Sequence, residues 1–308
     1  MKKWTLAFLT LALTIVLAAC SMDSGSSGSS SKSSDKETTE GGKIGLSIST
    51  LNNPFFVTLS DAAKEKAKAE GLAITVADAQ DDASKQASDI EDLIQQGVDL
   101  LIINPVDSAS VATAVEAANN AGIPVITVDR SAEGGEVLTH IASDNVAGGV
   151  LAGEYLLTLV DEGAQVAMLE GVAGSSAARD RGDGFLKAVE GKVDLVASQT
   201  ANFNRAEGLT VMENILQANP NVKAVFAQND EMALGALEAI AASGKDIKVI
   251  GFDATDDAVA KVEAGDLAAT VAQQPALIGE KAIEAAAAHF AGKTLEANIP
   301  VELELVSK

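Results

Sequence analysis

Over most of the chain, short apolar runs alternate with longer segments in which apolar residues recur at helical spacing. The first pair is typical. The β-prone run 43–49 precedes the segment 55–70, whose apolar residues follow a helical period and which stops at Gly71. The runs 100–103 and 222–226 are almost wholly apolar, as expected for strands that are covered on both faces. Such alternation predicts parallel sheets with right-handed crossovers.

The pattern divides into two series of elements, separated by a break around 133–135. The first series predicts strands at 43–49, 72–77, 99–103 and 124–128 and helices at 55–70, 83–96 and 109–121. The second predicts helices at 144–161, 175–190, 204–218, 229–243, 256–263 and 275–291, and strands at 164–169, 193–199, 222–226, 247–251, 267–271 and near 300–305. A chain of 308 residues is long enough for two domains with their own cores. We therefore predict an α/β protein with two doubly wound parallel sheets.

The first 42 residues follow a different pattern. Two lysines precede the apolar run 4–19, which is shorter than the about 20 residues that a spanning helix needs and is typical of a secretory signal. The run ends in Leu-Ala-Ala-Cys20, which resembles the lipobox of bacterial lipoproteins and implies cleavage before a lipidated cysteine. The Ser- and Gly-rich segment 21–42 predicts a flexible tether. The alternative is an ordinary cleaved signal with an incidental cysteine.

Charge and cysteine content exclude several kinds of partner. The formal net charge of -22 disfavours binding to nucleic acid or to an anionic membrane surface. A single cysteine rules out an internal disulfide and any CxxC zinc or redox site. His140 and His289 belong to no metal-binding motif, so we predict no metal site.

Residues that follow predicted strands are the candidates for a ligand site, because ligands of open α/β sheets bind beyond the carboxyl ends of the strands. These positions hold Asn53, Asn104, Asp129, Arg130, Phe203, Asn229, Phe252 and Asp253. The set combines amides, carboxylates, guanidinium groups and aromatic rings, without a nucleophile–base pair. Sugars suit this mixture, since their hydroxyls bind Asp, Asn and Arg while their C–H faces pack on aromatic rings.

An enzyme is disfavoured by the absence of cofactor motifs. No G-x-G-x-x-G follows a predicted strand. The triplet Gly292-Lys293-Thr294 lacks the earlier glycine of a P-loop and follows a helix instead of a strand. We predict neither catalytic residues nor a cofactor.

Eight stretches of the chain resemble the sugar-binding class of ABC-importer receptors, the type I periplasmic binding proteins, and among them the ribose receptors. They are STLNNPFF (49–56), LLIINPVDS (100–108), IPVITVDR (123–130), HIASDNVAGG (140–149), GSSAARDRGDGF (174–185), AVFAQNDEMALGAL (224–237), VIGFD (249–253) and ATVAQQP (269–275). Their order and spacing agree from about residue 43 onward. The resemblance implies two Rossmann-like domains, D-ribose as the ligand and a membrane permease as the partner.

The resemblance also implies ligand contacts at individual positions. They fall on Asn53, Phe55, Phe56, Asn104, Asp129 and Arg130, and on Arg181, Phe203, Asn229, Phe252, Asp253 and Gln273. The phenylalanines would sandwich the sugar ring, and the polar groups would bind its hydroxyls. A hinge with crossings near 143/144, 273/274 and 302/303 is implied as well. It would divide the chain into an N-terminal domain, 43–143 plus 274–302, and a C-terminal domain, 144–273 plus 303–308.

The N-terminus departs from the best-known members of this class, which are free in the periplasm. Here the lipobox implies a receptor anchored by lipid to the outer face of the cell membrane, and we expect this receptor to be a monomer. A sibling receptor for allose, another pentose or a furanose-like signalling molecule is the main alternative. A sugar-responsive repressor of the same fold would need a helix-turn-helix and a basic surface, where this chain has its signal and tether.

Overall fold

A computed structural model describes residues 41–308 of the chain. The predicted signal peptide, Cys20 and nearly all of the predicted tether lie outside these residues. The described residues form one compact unit. Among the described helices, none combines the length and the apolar character that crossing a membrane requires.

The described residues form twelve strands and nine helices. The strands are β1 (Lys43–Ile48), β2 (Ala73–Asp78), β3 (Leu100–Ile103), β4 (Val125–Val128), β5 (Thr139–Ser143), β6 (Gln165–Glu170), β7 (Asp194–Thr200), β8 (Ala224–Ala227), β9 (Lys248–Asp253), β10 (Ala269–Ala272), β11 (Asn298–Val301) and β12 (Glu304–Ser307). The helices are α1 (Pro54–Ala69), α2 (Ala83–Gln95), α3 (Ala112–Asn120), α4 (Asn145–Leu159), α5 (Ser176–Val189), α6 (Arg205–Ala218), α7 (Asp230–Ser243), α8 (Asp256–Ala264) and α9 (Pro275–Phe290).

The strands form two six-stranded sheets, in agreement with the prediction of an α/β protein with two sheets. The first sheet has the order β11-β5-β4-β3-β1-β2, and all its strands are parallel. The second has the order β12-β10-β9-β8-β6-β7. Helices α1, α2, α3 and α9 pack on the first sheet, and α4 to α8 pack on or beside the second. We call each sheet with its helices a lobe. The chain passes between the lobes three times: after β5, after β10 and after β11.

Four features differ from the predicted elements. Strand β5 was not predicted, because its sequence, THIAS, is short and half polar and follows a Gly-rich break. The single strand predicted near 300–305 is two strands, β11 in the first sheet and β12 in the second. Strand β12 is antiparallel to β10, so the second sheet is not wholly parallel. Helix α3 begins at residue 112, three residues later than predicted.

Helices α4 and α5 pack closely because glycines replace side chains at their contact. A Cβ on Gly149 of α4 would overlap the carbonyl oxygen of Arg181 on α5. A Cβ on Gly184 of α5 would likewise overlap the carbonyl oxygen of Val146. This close approach determines where α5, and with it the Arg181 side chain, lies relative to the second sheet.

Candidate functional site

A cavity lies between the two lobes, at the carboxyl ends of their strands. It is lined by Asn53, Phe55, Phe56, Asp129, Arg130, Ala177, Arg181, Phe203, Asn229, Asp253 and Gln273. At most about 230 Å³ of this space is free of protein atoms. A space this narrow suits at most a single small molecule. Ten of the twelve predicted ligand contacts line it.

Aromatic rings and guanidinium groups are stacked along the cavity wall. The Arg130 guanidinium carbon lies 5.2 Å from the centroid of the Phe56 ring and 5.3 Å from that of Phe203. The Arg181 guanidinium carbon lies 5.7 Å from the Phe203 centroid. Cations attract the faces of aromatic rings, and more strongly where water is excluded. Phe203 therefore helps to orient both arginines.

Arg130 retains unused hydrogen-bonding capacity. Its Nη1 donates to the carbonyl oxygen of Pro105 at 3.1 Å, and its Nε lies 3.6 Å from Asp129 Oδ2, too far for a hydrogen bond. Nε is buried and has no partner among the described residues. Burial lowers the pKa of Arg130, and the neighbouring Asp129 carboxylate opposes this shift. An unpartnered donor at a cavity wall is available to a ligand.

Arg181 is held by neutral oxygens and faces two carboxylates. Its Nε donates to Asn145 Oδ1 and its Nη1 to the carbonyl oxygen of Gln228, both at 2.8 Å. Nη1 lies 3.8 Å from Asp253 Oδ1, and Nη2 lies 4.0 Å from Asp129 Oδ1. These separations give ion pairs without direct hydrogen bonds. The carboxylates thus keep acceptor capacity for a bound molecule.

Asp253 and Gln273 line the cavity on the side of the second lobe. Gln273 Nε2 donates to Asp253 Oδ1 at 2.8 Å, while Gln273 Oε1 is buried without a partner among the described residues. Burial raises the pKa of Asp253 well above its usual value, and the Arg181 cation counteracts the shift. The pair presents a carboxylate and an amide oxygen to the cavity.

Three lining residues have left-handed or otherwise positive φ. The values are 61° at Asp129, 58° at Phe203 and 123° at Asp253. Such backbone costs a side-chain-bearing residue on the order of 1–3 kcal/mol, and it concentrates at ligand sites. All three residues are at or just beyond strand ends. The strained turns direct their side chains into the cavity.

Asn104 and Phe252, both predicted to contact the ligand, lie one layer behind the cavity wall. Asn104 is fully buried, and its Oδ1 accepts from the Ser49 backbone N–H at 3.2 Å. Its Nδ2 donates to the Val128 carbonyl oxygen and to Asp129 Oδ2, at 3.2 and 3.3 Å. The Phe252 ring centroid lies 3.9 Å from the Arg181 guanidinium carbon. Asn104 therefore orients Asp129, and Phe252 supports Arg181.

Several residues of the site carried no signal in the sequence. Ala177 lines the cavity from α5. Asn145 accepts a hydrogen bond from Arg181. Both Asn145 and Gln86 are helical residues far from any predicted strand end. Gln86 donates to the carbonyl oxygen of Asn104 and accepts from the Val106 N–H, both at 2.8 Å. Gln86 thereby bonds the residues immediately before and after Pro105. The Pro105 carbonyl oxygen in turn accepts a hydrogen bond from Arg130.

Contacts between the lobes close one side of the cleft. The Ser108 N–H of the first lobe donates to the Gly174 carbonyl oxygen of the second at 2.9 Å. Arg179 Nη2 lies 2.6 Å from Glu133 Oε1 across the same gap. The side chains at the centre of the cavity are only 3–4% exposed. The structure is therefore in a closed arrangement, with the site shielded from solvent.

Comparisons with known proteins identify similar sequences and structures. The family model described as "Periplasmic binding protein domain" matches residues 44–294. The ribose import binding protein of Bacillus subtilis is 53% identical over 305 residues, covering 99% of both chains. That of Escherichia coli (strain K12) is 52% identical over 267 residues, covering 86% of this chain and 90% of its own. A solved ABC transporter solute binding protein from Mycobacterium smegmatis, with bound glycerol, is 40% identical with a TM-score of 0.84, covering 87% of this chain and 94% of its own.

Proposed function

The chain belongs to the periplasmic binding protein family, and from this premise we propose that it captures D-ribose between its lobes and delivers it to the permease of an ABC importer. One observation carries the proposal. In a chain more than half identical to a ribose import binding protein, two arginines and two aspartates converge on one buried cavity between the lobes. The relatives are substrate-binding transport proteins, and we propose binding without catalysis and a monomeric state.

The cavity offers what a pentose needs. A sugar hydroxyl both donates and accepts, so it pairs with an arginine N–H and a carboxylate oxygen at once. Arg130 Nε and Gln273 Oε1, both buried and unpartnered among the described residues, supply one free donor and one free acceptor. The rings of Phe55, Phe56 and Phe203 offer apolar faces for the C–H groups of the sugar.

We propose that binding closes two domains, 43–143 plus 274–302 and 144–273 plus 303–308, about a three-crossing hinge. The support is that the lobes are joined by three chain crossings and that each lobe supplies part of the cavity wall. A ligand shifts such an equilibrium only through its higher affinity for one state. Neither lobe alone surrounds a sugar, so the closed state is the one that ribose favours, and the one that the permease would distinguish.

Ribose is expected to bind more tightly than pentoses that lack or invert one hydroxyl. A site built to hydrogen-bond hydroxyls is left with unpaired polar groups when one is missing, which costs roughly 2 kcal/mol or more. Isothermal titration calorimetry of residues 21–308 against ribose, 2-deoxyribose, arabinose, xylose and allose measures this. Equal affinity for ribose and 2-deoxyribose would contradict the ribose assignment. Tighter binding of allose or of another sugar would identify a sibling receptor instead.

We further propose that the protein is exported and anchored to the outer face of the cell membrane through lipidated Cys20, after removal of residues 1–19. The support is the sequence itself: the single cysteine ends an apolar run of signal length. The alignment with the Bacillus subtilis relative covers 99% of the chain and so includes this segment. One saturated chain gives only marginal membrane binding, so stable anchoring needs more than one.

Substituting Cys20→Ala is expected to move the protein from the membrane fraction to the soluble fraction, because the thiol that receives the lipid is lost. Fractionation of cells without an outer membrane, with metabolic labelling by radioactive palmitate, measures the change. Ser21→Ala is the matched control and should stay labelled and membrane-bound. A Cys20→Ala protein that still incorporates palmitate would show that the lipid is attached elsewhere.

A further inference from the structure

Asp230 is a fully buried carboxylate behind the ligand cavity, next in sequence to Asn229. It begins α7, and its carboxylate accepts hydrogen bonds from two neighbouring elements. Oδ2 accepts from the Thr255 backbone N–H at 2.8 Å and from the Thr255 hydroxyl at 3.2 Å. Oδ1 accepts from the Thr270 hydroxyl of β10 at 2.7 Å. Asp230 thus ties α7 to β10 and to the turn after β9.

That turn carries Asp253 in an unfavourable backbone conformation. Asp253 has a φ of 123° and Ala254 a φ of 56°. The Ala254 N–H donates to the Thr270 hydroxyl at 3.2 Å, and the same hydroxyl donates to Asp230. A Cβ at Gly251 would overlap Asp230 Oδ1, so glycine is required there for the carboxylate to approach. Strained turns persist only where surrounding contacts hold them.

We propose that Asp230 is a positioning residue of the sugar site: by holding the turn 253–255, it fixes the Asp253 carboxylate toward the ligand. This inference rests on the proposed function. Asp230 does not line the cavity and acts through Asp253. Its two oxygens together bond both Thr255 and Thr270, so removing the side chain would free the turn from α7 and from β10 at once.

Burying the Asp230 carboxylate lowers the stability of the fold, which is consistent with a role of this residue in binding. Burial raises the pKa of Asp230 from 3.8 to about 7, against the hydrogen bonds from Thr270 and Thr255. Because the folded-state pKa lies above the unfolded one, the stability linked to this proton is lost as pH rises through about 7. Near and above that pH the carboxylate therefore opposes folding.

The test compares ribose affinity and thermal stability of unlipidated residues 21–308 with those of three variants. Asp230→Ala is expected to weaken ribose binding about tenfold or more, because the turn loses all three hydrogen bonds. Asp230→Asn, which keeps shape and part of the bonding, should recover most of the affinity. Thr270→Val, which removes only the shared hydroxyl, should weaken binding about threefold to tenfold. Thr139→Val is the matched control, since the Thr139 hydroxyl is buried without a partner among the described residues.

The pH profile separates positioning from a purely structural role. The groups that act electrostatically on Asp253 are Arg181, which lowers its pKa, and Asp230 and Asp129, which raise it, while the hydrogen bond from Gln273 also lowers it. Removing the Asp230 charge therefore lowers the pKa of Asp253. In Asp230→Asn, which carries no charge at any pH, ribose affinity should therefore depend less on pH around 7 than in the parent. The loss of melting temperature between pH 5 and 8 should also be smaller.

The outcomes are distinguishable. If the parent does not bind ribose, the proposed function fails first. If the parent binds and Asp230→Ala and Thr270→Val both bind within twofold of it, the positioning role is overturned. Should Asp230→Ala not fold, Thr270→Val decides by the same criterion. An equal dependence of ribose affinity on pH around 7 in the parent and in Asp230→Asn would also contradict the inference.

Discussion

Replacing Asp253 by alanine is expected to weaken ribose binding by about 3 kcal/mol, on the order of a hundredfold in Kd. The substitution removes an acceptor from the cavity and leaves Gln273 Nε2 without its partner. It also removes one of the two carboxylates that face the Arg181 guanidinium in a site with almost no exposure to water. A buried charge that loses a partner is costly. The closed state therefore loses more than the open state, and the lobes should stay apart at ribose concentrations that close the parent.

Small-angle X-ray scattering measures this directly. The radius of gyration should fall when ribose is added to the parent and should not change in Asp253→Ala. Intrinsic tryptophan fluorescence would not report the motion, since the single tryptophan, Trp4, lies in the predicted signal peptide. Asp246→Ala is the matched control, because Asp246 is also a second-lobe aspartate but its side chain is 87% exposed. Tight ribose binding without compaction of the parent would disprove closure of the lobes.

Substituting Gly149→Val is expected to destabilise the protein by about 3 kcal/mol, at the upper end of the usual cost of overpacking. The added side chain would collide with the backbone of α5, which cannot yield as a flexible side chain can. Relief of the overlap requires α5 to move away from α4. Because α5 carries Arg181 and Ala177, ribose affinity should fall together with stability.

Urea unfolding followed by circular dichroism, with ribose titrations at low denaturant, tests both effects. Ala147→Val is the control: residue 147 lies on the same helix but is exposed, so the same β-branched group meets solvent. That variant should lose only the few tenths of a kcal/mol expected from helix propensity. If Gly149→Val is as stable as Ala147→Val, the close contact of α4 and α5 is not a constraint on the second lobe.

The sequence by itself determined the α/β class and most elements, because periodicity and turn residues are local signals. The alternation of apolar runs with helical segments indicated parallel sheets, and the predicted helix bounds mostly lie within one or two residues of the observed ones. Strand ends pointed to Asp129, Asn229 and Asp253, and the resemblance to sugar receptors extended these to the other predicted ligand contacts. Ten of those twelve residues meet at one cavity. The domain boundaries and the ligand contacts remain predictions.

Only the tertiary structure decided how these residues are arranged. A strand such as β5, with five residues and mixed polarity, forms because β4 and β11 flank it and complete its hydrogen bonds, not because of its own pattern. Strand β12 runs antiparallel because the chain changes sheets within two residues, which no local signal records. Asn104 is predicted to contact the ligand, and in the structure its side chain bonds Asp129 and two backbone groups.

The supporting residues were hidden for the same reason. Gln86, Asn145 and Asp230 lie on helices, and their sequence neighbourhoods resemble ordinary helix surfaces or helix starts. Each acts on a site residue that is distant in sequence: Gln86 on the loop that binds Arg130, Asn145 on Arg181, and Asp230 on the turn at Asp253. Hydrogen bonds between distant segments exist only once both sheets are assembled. A linear pattern can therefore name the residues at strand ends, but folding decides which of them face the ligand and which hold the others in place.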